Sequence, residues 1–439
     1  MTMLSPTAGY IHDVSRGSQP GPLSDAERSL LGDLARKVAG IAAEPGQEEK
    51  RQLWYRHNRL ESTRPLFLVF PEDSWEEVLG EDGLAVADPY WRQWEWYLRH
   101  LIYRTDRIDD DFVVEPSLHV PVVLRTSGGR GLHGRTIGPG VSKGAWRYDP
   151  PLTDPADISK LRHVTIEVDE PATQMTLQAV RELFGGILPV VLSCPLPHAN
   201  LVGEASMLRG IDQLMLDLYD RPSWVHELMS FLADEMMTHV NYLEESGYLT
   251  LNNRNHYTDS GGIGYSTELP SAGHDANHAE GVNCGARLCD LWGFGVAQEW
   301  ALVSPEQHAE FLLAYQRRLL DQCGLVAYGC CEPYTTKFDM LKQIPRLRRV
   351  SVSPWCDLPR AVGALGSDFV LSWKPNPALL VGNFDAAWVR TYIRDALNVS
   401  RGCIFEMILK DTFTVNRHPE RFTTWADIAR EEIERVGAE

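Results

Sequence analysis

Residues 325–373 have the sequence LVAYGCCEPYTTKFDMLKQIPRLRRVSV (325–352) and SPWCDLPRAVGALGSDFVLSW (353–373), in which short apolar runs alternate with longer segments. Apolar runs of this length are typical of buried strands, whereas the longer segments have helical spacing. The segment predicts the strands Leu325–Tyr328, Arg349–Val352 and Phe369–Trp373, separated by the helices Lys337–Ile344 and Leu358–Leu365. Strands that alternate with helices pair in parallel through right-handed crossovers.

The same alternation extends in both directions along the chain. Further strands are predicted at Pro65–Phe70, Tyr248–Asn252, Leu288–Phe294 and Ile404–Leu409. The number of units predicts an α/β fold, a (β/α)8 TIM barrel over residues 61–439, after an N-terminal arm and helices in residues 1–60. The glycine-rich stretch Thr126–Pro151 is expected to lie outside the alternation. An open doubly wound sheet is the alternative, which the lack of a phosphate-binding glycine fingerprint after an early strand disfavours.

Charge and cysteine usage limit the partners and the compartment. Acidic residues outnumber basic ones by 60 to 42, a net charge of −18, so the averaged field repels nucleic acid and anionic membranes. No stretch approaches the roughly 20 apolar residues that cross a bilayer. The 8 cysteines are scattered and include the adjacent pair Cys330 and Cys331, which fits a reducing compartment. We expect a cytoplasmic enzyme with a small-molecule substrate.

An early segment is rich in aromatic residues. Trp91, Trp94 and Tyr97 recur at helical spacing between Leu84 and Tyr103. The spacing predicts an amphipathic helix whose aromatic stripe packs in the core, in preference to a ligand cage.

Ionisable residues follow several predicted strands. Because residues just after each barrel strand gather at the C-terminal face, distant segments are expected to form one pocket there. The candidate catalytic residues are Glu332, Lys374, Glu406, Lys410 and Asp411. Acids at such a mouth can have separated pKa values for acid and base roles, and the lysines can hold an anionic substrate. A structural ion-pair network is the alternative for the same residues.

The same strand-end segments supply candidate ligand-binding residues. We expect the following residues to bind substrate: Asn253, Tyr257, Trp292, Gln298 and Asn376. Sulfur and imidazole nitrogen are zinc ligands, so Cys331 and His256 are the candidate metal ligands. A packed structural thiol is the alternative for Cys331, and a surface histidine for His256.

Three segments resemble the uroporphyrinogen decarboxylase superfamily, which includes zinc-dependent methyltransferases acting on corrinoid proteins or thiols. The likeness covers roughly residues 160 to 435. It is carried by Leu208–Met229 leading into Val225–Glu244, by Gln298-Glu299-Trp300 before Val303-Ser304-Pro305-Glu306, and by Gly329–Pro333 followed by Ile344-Pro345-Arg346-Leu347-Arg348. The resemblance implies a barrel fold, a zinc ion and a homodimer. It also implies a corrinoid supplied by a partner protein.

The sequence departs from both branches of that superfamily. Cys331 stands where the cysteine of the methyltransferases' His-x-Cys motif would be, but Gly329 replaces the histidine, and Lys410-Asp411 falls near the later cysteine. The decarboxylase's arginine-rich motif has no counterpart in Trp54–Arg59. We therefore expect one-carbon group transfer with Cys331 as metal ligand or acceptor. The alternatives are a lyase or decarboxylase acting on a small anionic substrate, and a non-catalytic small-molecule binder.

Overall fold

The computed structural model describes residues 19–138, 147–194, 196, 198–258, 260–270 and 285–438. Its strands are β1 Leu66–Val69, β2 Leu118–Pro121, β3 Leu124–Thr126, β4 Arg135–Ile137, β5 Arg147–Asp149, β6 Ile166–Val168, β7 Val190–Ser193, β8 Trp292–Gly295, β9 Leu325–Tyr328, β10 Leu347–Val352, β11 Val370–Trp373 and β12 Ile404–Leu409. The strands predicted from residues 325–409 are thus confirmed, within a residue or two at their ends.

The helices surround and separate these strands. They are α1 Asp25–Ala42, α2 Pro45–Asn58, α3 Trp75–Val78, α4 Pro89–Tyr103, α5 Glu170–Phe184, α6 Leu201–Arg209, α7 Ile211–Asp220, α8 Pro222–Glu245, α9 Pro305–His308, α10 Ala314–Leu320, α11 Phe338–Leu341, α12 Leu358–Leu365, α13 Ala386–Val399 and α14 Glu420–Ala438. Ser24 starts α1 with a capping box that includes Glu27, because the serine side chain accepts the Glu27 N–H. A π-helical turn, Ala309–Leu313, joins α9 to α10.

The centre of the molecule is a parallel sheet of six strands in the order β1-β12-β11-β10-β9-β8. Its register aligns Ser351 of β10 with Ser372 of β11, and Ser372 with Glu406 of β12. All six strands are buried along most of their length, as expected of a parallel sheet covered by helices. The mixed α/β class and the parallel pairing predicted from the sequence are therefore confirmed.

The closed eight-stranded barrel is not shown by the described residues, which form the six-stranded sheet and a separate parallel pair, β2 with β7. Side chains make part of the hydrogen bonding at the outer edges of β1 and β8. Asp110 and Asp111 carboxylates accept the N–H groups of Val69 and Phe67, at 2.8 and 2.9 Å. The Asn252 amide exchanges two hydrogen bonds of 2.9 Å with the backbone of Trp292. The predicted strand Tyr248–Asn252 accordingly has no strand ladder, because a side chain makes the pairing.

The excursion predicted between Thr126 and Pro151 lies outside the central sheet where it is described. Its strands β4 and β5 form an antiparallel pair of their own, and residues 139–146 fall outside the described ranges. A second antiparallel pair, β3 with β6, lies beside it in the chain.

The aromatic stripe of α4 packs in the core, as predicted. Trp94 is 0% exposed and Trp91 4%, while Tyr97 is partly buried against the same core. The Trp94 ring lies 5.6 Å from that of Phe184 on α5. Within the described ranges, no helix has the length and apolar character needed to cross a membrane.

Trp94→Ala should lower the free energy of unfolding by about 3–5 kcal/mol, because it removes a fully buried ring and leaves a cavity. Trp388→Ala is the matched control, since Trp388 is 50% exposed on α13 and its loss should cost far less. Urea unfolding of both variants measures the difference. Equal destabilisation of the two would contradict the packing role of Trp94.

Candidate active site

Two cysteines and a lysine meet where β9 and β12 end. The sulfurs of Cys330 and Cys331 are 3.4 Å apart, and the Cys331 thiol donates to Asp411 Oδ2 at 3.0 Å. The ammonium of Lys410 lies 3.9 and 4.0 Å from the two sulfurs and 2.5 Å from Asp411 Oδ1. With Glu72, described below, these residues are called the thiol cluster. Both cysteines are partly exposed, so a small molecule can reach them.

The cysteine loop is fixed by backbone and side-chain contacts around Gly329. This glycine has φ +102°, and a Cβ at its position would clash with the ring of Tyr334. The buried Glu332 carboxylate accepts the N–H of Cys330 at 2.9 Å and that of Ala297 at 2.8 Å. The Ser351 hydroxyl donates to the Cys330 carbonyl at 2.8 Å. Glu332 therefore holds the loop in place and does not point its carboxylate at the sulfurs.

Glu72 joins the cluster from the end of β1. Its carboxylate accepts the Asp411 N–H at 2.6 Å. Glu72 and Asp411 have φ +46° and +60°, in the left-handed region that costs energy for residues other than glycine. Thr412 fastens the two segments together, because its hydroxyl donates to the carbonyls of Phe70 and Pro71. Strained backbone held in this way is typical of functional sites.

The two thiols have opposite proton affinities. The hydrogen bond from Cys331 lowers the pKa of Cys330 below its usual value, and the Lys410 cation acts in the same direction. The same hydrogen bond, together with burial, raises the pKa of Cys331. Of the two thiols, Cys330 is therefore the one that loses its proton more readily, and the thiolate is the nucleophilic form of cysteine.

The Lys410 ammonium balances the negative charge of the groups around it. Burial lowers the pKa of Lys410, but the negative charges of Cys330, Glu72 and Asp411 outweigh it and keep the ammonium protonated. Burial raises the pKa of Glu72 to about 7, although Lys410 opposes this shift. A carboxyl with that pKa can give or take a proton near neutral pH.

Glu406 belongs to a separate group in the core. It is 0% exposed, lies 3.1 Å from His57 Nε2, and forms an ion pair with Arg349 at 3.0 Å. Arg349 also donates to Asn58 Oδ1 and Thr258 Oγ1, each at 2.6 Å. Burial would raise the pKa of Glu406, but the Arg349 cation and the His57 hydrogen bond lower it to about 2. The alternative of a structural ion-pair network fits Glu406.

Lys374 lies between these two groups along the strands. Its ammonium is buried and donates to the Ser372 hydroxyl at 2.6 Å and to the Ser372 carbonyl at 3.1 Å. Its positive charge contributes to the low pKa of Glu406.

The predicted substrate-binding residues have other contacts in the described structure. Asn253 donates to the Leu269 carbonyl at 2.7 Å, and the buried Trp292 indole donates to the Gly264 carbonyl at 2.9 Å. Asn376 accepts the N–H of Ala378 and so caps a short helical turn. Tyr257 packs edge-on against Phe70, with ring centroids 5.0 Å apart, and Gln298 is exposed after β8. Their role in substrate binding stays a prediction.

The two predicted metal ligands have different neighbours. His256 lies beside His119, with ring centroids 5.4 Å apart, whereas Cys331 contacts Cys330 and Asp411. Among the described residues, no group of three or more His, Cys, Asp or Glu side chains is arranged to hold a metal ion. Lys410 instead presents a cation to both sulfurs. This donor set does not fit zinc, and zinc binding stays a prediction.

Sequence reasoning missed four residues that matter here. They are Cys330 as the thiolate, Glu72, Arg349 and His57. The sequence contains a signal for Glu72, because this residue follows Pro71 at the end of a predicted buried strand, the same kind of position that the other candidate residues occupy. The roles of Arg349 and His57 have no such signal, because they depend on which buried carboxylate their side chains meet.

Glu406→Ala should lower the free energy of unfolding by about 3–5 kcal/mol, because it leaves the buried Arg349 cation without its counter-charge. Asp339→Ala is the control. Asp339 pairs with Lys342 on the surface and its side chain is 94% exposed, so its removal should cost less than about 1 kcal/mol. A Glu406 variant with unchanged urea unfolding would contradict the structural role.

Glu72 should make stability depend on pH. Its pKa is about 7 in the folded chain against 4.5 for the unperturbed group, so the folded state binds the proton more tightly. The resulting stabilisation is full below about pH 4.5 and is lost as the pH rises through 7. Relative to Glu72→Gln, which does not titrate, the wild-type unfolding free energy should fall by up to about 3 kcal/mol over that range. Parallel curves for the two proteins would rule this out, and Asp73→Asn, an exposed neighbour, is the control.

Comparisons with known proteins add little to this geometry. The chain matches none of the protein-family models and none of the curated proteins with which it was compared. Among solved structures it is similar to one described as "methyltransferase from Methanosarcina mazei", with 12% sequence identity and a TM-score of 0.47 over 88% of this chain and 98% of that chain. A likeness of that size carries no argument about chemistry.

Proposed function

We propose that this chain is a divergent enzyme of the uroporphyrinogen decarboxylase type that transfers a one-carbon group, with the Cys330 thiolate as the first acceptor. The observation that carries the proposal is the contact of Cys330 with both a thiol donor and the Lys410 cation at the ends of parallel strands. The sequence motifs that resemble the superfamily support the same class of enzyme.

We further propose that β2, β7 and the segment around Leu249 complete a barrel with the central sheet, because backbone hydrogen bonds link Thr250 to Cys194 and Asp111 to Phe67.

The chemistry follows from the charges around Cys330. The thiolate attacks the carbon of the donor, a sulfur–carbon bond forms, and the bond from that carbon to the donor's leaving group breaks with its electron pair. A second nucleophile then attacks the same carbon and releases the thiolate. Lys410 favours the thiolate form of Cys330 that the first step needs, and it stabilises the thiolate that leaves in the second step, which lowers the barrier of that step.

The remaining members of the cluster handle protons and position. Asp411 accepts the Cys331 hydrogen and so holds the Cys331 sulfur 3.4 Å from the attacking sulfur. Glu72, with its pKa raised to about 7 by burial, can protonate the leaving group and recover its proton from the final acceptor. Neither role requires a metal ion at the thiols.

The proposal also includes the source of the methyl group and the assembly of the protein. A small methyl donor or a methyl group presented on the corrinoid of a partner protein would fit the first step. A homodimer and a cytoplasmic location are proposals that follow from the sequence resemblance and composition.

A lyase reaction is the second candidate, and the raised pKa of Glu72 beside Lys410 favours it. Lys410 would pair with the substrate carboxylate, and the buried ammonium of Lys374 would add positive charge. The carbon–carbon bond would break, carbon dioxide would leave, and Glu72 would deliver a proton to the carbon that remains. This reaction needs no thiolate.

Cys330→Ser should abolish group transfer while the thermal unfolding midpoint changes little, because Cys330 is partly exposed and serine has a similar volume. The protein is incubated with a panel of isotopically labelled methyl donors, and label is sought on the tryptic peptide 319–337. Cys356→Ser, at a partly exposed cysteine outside the thiol cluster, is the matched control and should keep the label. If the Cys330→Ser variant still releases carbon dioxide and the Lys410→Gln variant does not, group transfer is contradicted and the lyase reaction is supported.

A further inference from the structure

We propose that Cys330 and Cys331 form a reversible vicinal disulfide when the protein meets a hydroperoxide, and that this bond switches the site off. The disulfide itself is independent of the reaction catalysed. Only the loss of activity rests on the proposed function, because the bond consumes the thiolate that the transfer needs.

The geometry brings the sulfurs close to bonding distance. They are 3.4 Å apart, and a disulfide bond is about 2.05 Å long. Closing this gap needs only side-chain rotation and a small change in the peptide that joins the two residues. Gly329, in the left-handed region directly before the pair, gives the loop a residue whose backbone tolerates such a change.

The bond would be easy to reverse. The Cα atoms of adjacent residues are about 3.8 Å apart, which is below the range of about 4.4–6.8 Å found for unstrained disulfides. A strained disulfide that is partly exposed is readily reduced by thiols, which is a property of regulatory disulfides. The partial exposure of both cysteines admits the oxidant and the reductant.

The neighbouring charges provide for both steps of the oxidation. Lys410 holds a cation 3.9 Å from the Cys330 sulfur, which favours the thiolate that attacks the hydroperoxide. The oxygen–oxygen bond breaks, an alcohol or water leaves with a proton, and Cys330 becomes a sulfenic acid. Asp411, 3.0 Å from the Cys331 sulfur, accepts the Cys331 proton. The Cys331 sulfur then attacks the Cys330 sulfur, and the hydroxyl leaves as water.

The sum of the two steps balances without a further reactant. Two thiols and one hydroperoxide give one disulfide, one alcohol and one water, or two waters when the oxidant is hydrogen peroxide. The sulfurs lose two electrons and the peroxide gains them. A cellular or added dithiol returns the pair to its reduced form by thiol–disulfide exchange.

Peptide mapping of the intact folded protein tests the bond. The chain is treated with stoichiometric hydrogen peroxide, quenched, unfolded in iodoacetamide and digested with trypsin. The peptide 319–337 contains Cys323, Cys330 and Cys331, and Cys323 is buried. We expect this peptide to lose two alkylations, retain one on Cys323, and become two hydrogen atoms lighter than its reduced form. Dithiothreitol before alkylation should restore all three alkylations.

Two variants make the result specific. Cys356→Ser should form the bond as the wild type does, whereas Cys331→Ser should stop at the sulfenic acid of Cys330, which dimedone traps. Three outcomes would overturn the proposal. They are alkylation of both Cys330 and Cys331 after peroxide treatment, a sulfonic acid on Cys330 without a disulfide, and a disulfide from either cysteine to Cys323 or Cys356. Because the mapping needs no methyl donor, a bond that forms in a chain without transferase activity would remove only the proposed function.

Discussion

A carboxylate without access to water lies at the centre of the parallel sheet, and the surrounding structure is arranged to neutralise it. An unpaired buried charge costs several kcal/mol, so Glu406 requires the Arg349 guanidinium and the His57 imidazole beside it. These partners come from β10 and α2, while Glu406 is on β12. One ionised group therefore fixes the register of two strands and the position of the N-terminal helix against them.

Lys410 of the thiol cluster directly follows the strand that carries Glu406. Side chains two residues apart along a strand point to the same face, so Glu406, Ile408 and Lys410 follow one another toward the end of β12. A buried ion pair thus lies beneath the buried ammonium of Lys410. The strain at Glu72 and Asp411 is held by Thr412 and by the strands themselves, which allows reactive groups to keep unfavourable backbone angles.

The sequence predicts the strands and the strand ends well, because apolar runs and helical spacing are local properties. The sequence does not predict which role each acidic residue has. Glu332 and Asp411 follow a strand and Glu406 lies within one. Glu332 anchors backbone N–H groups, Glu406 pairs with a buried arginine and Asp411 contacts a thiol. That division depends on side-chain direction and on partners distant in sequence. The strand predicted at Tyr248–Asn252 has no ladder for a related reason, because the Asn252 side chain pairs with the backbone of Trp292.

The position of the thiolate follows from competition for one proton. The Cys331 hydrogen has two acceptors within reach, the Cys330 sulfur and Asp411, whereas Lys410 offers its positive charge to both sulfurs. Both acceptors favour the proton on Cys331, so Cys330 is the sulfur that more readily becomes the anion. The contact that makes Cys330 nucleophilic is also the contact that holds the second sulfur against it. Reactivity toward a carbon donor and sensitivity to a peroxide consequently have the same physical origin, and a substitution that weakens the contact should weaken both.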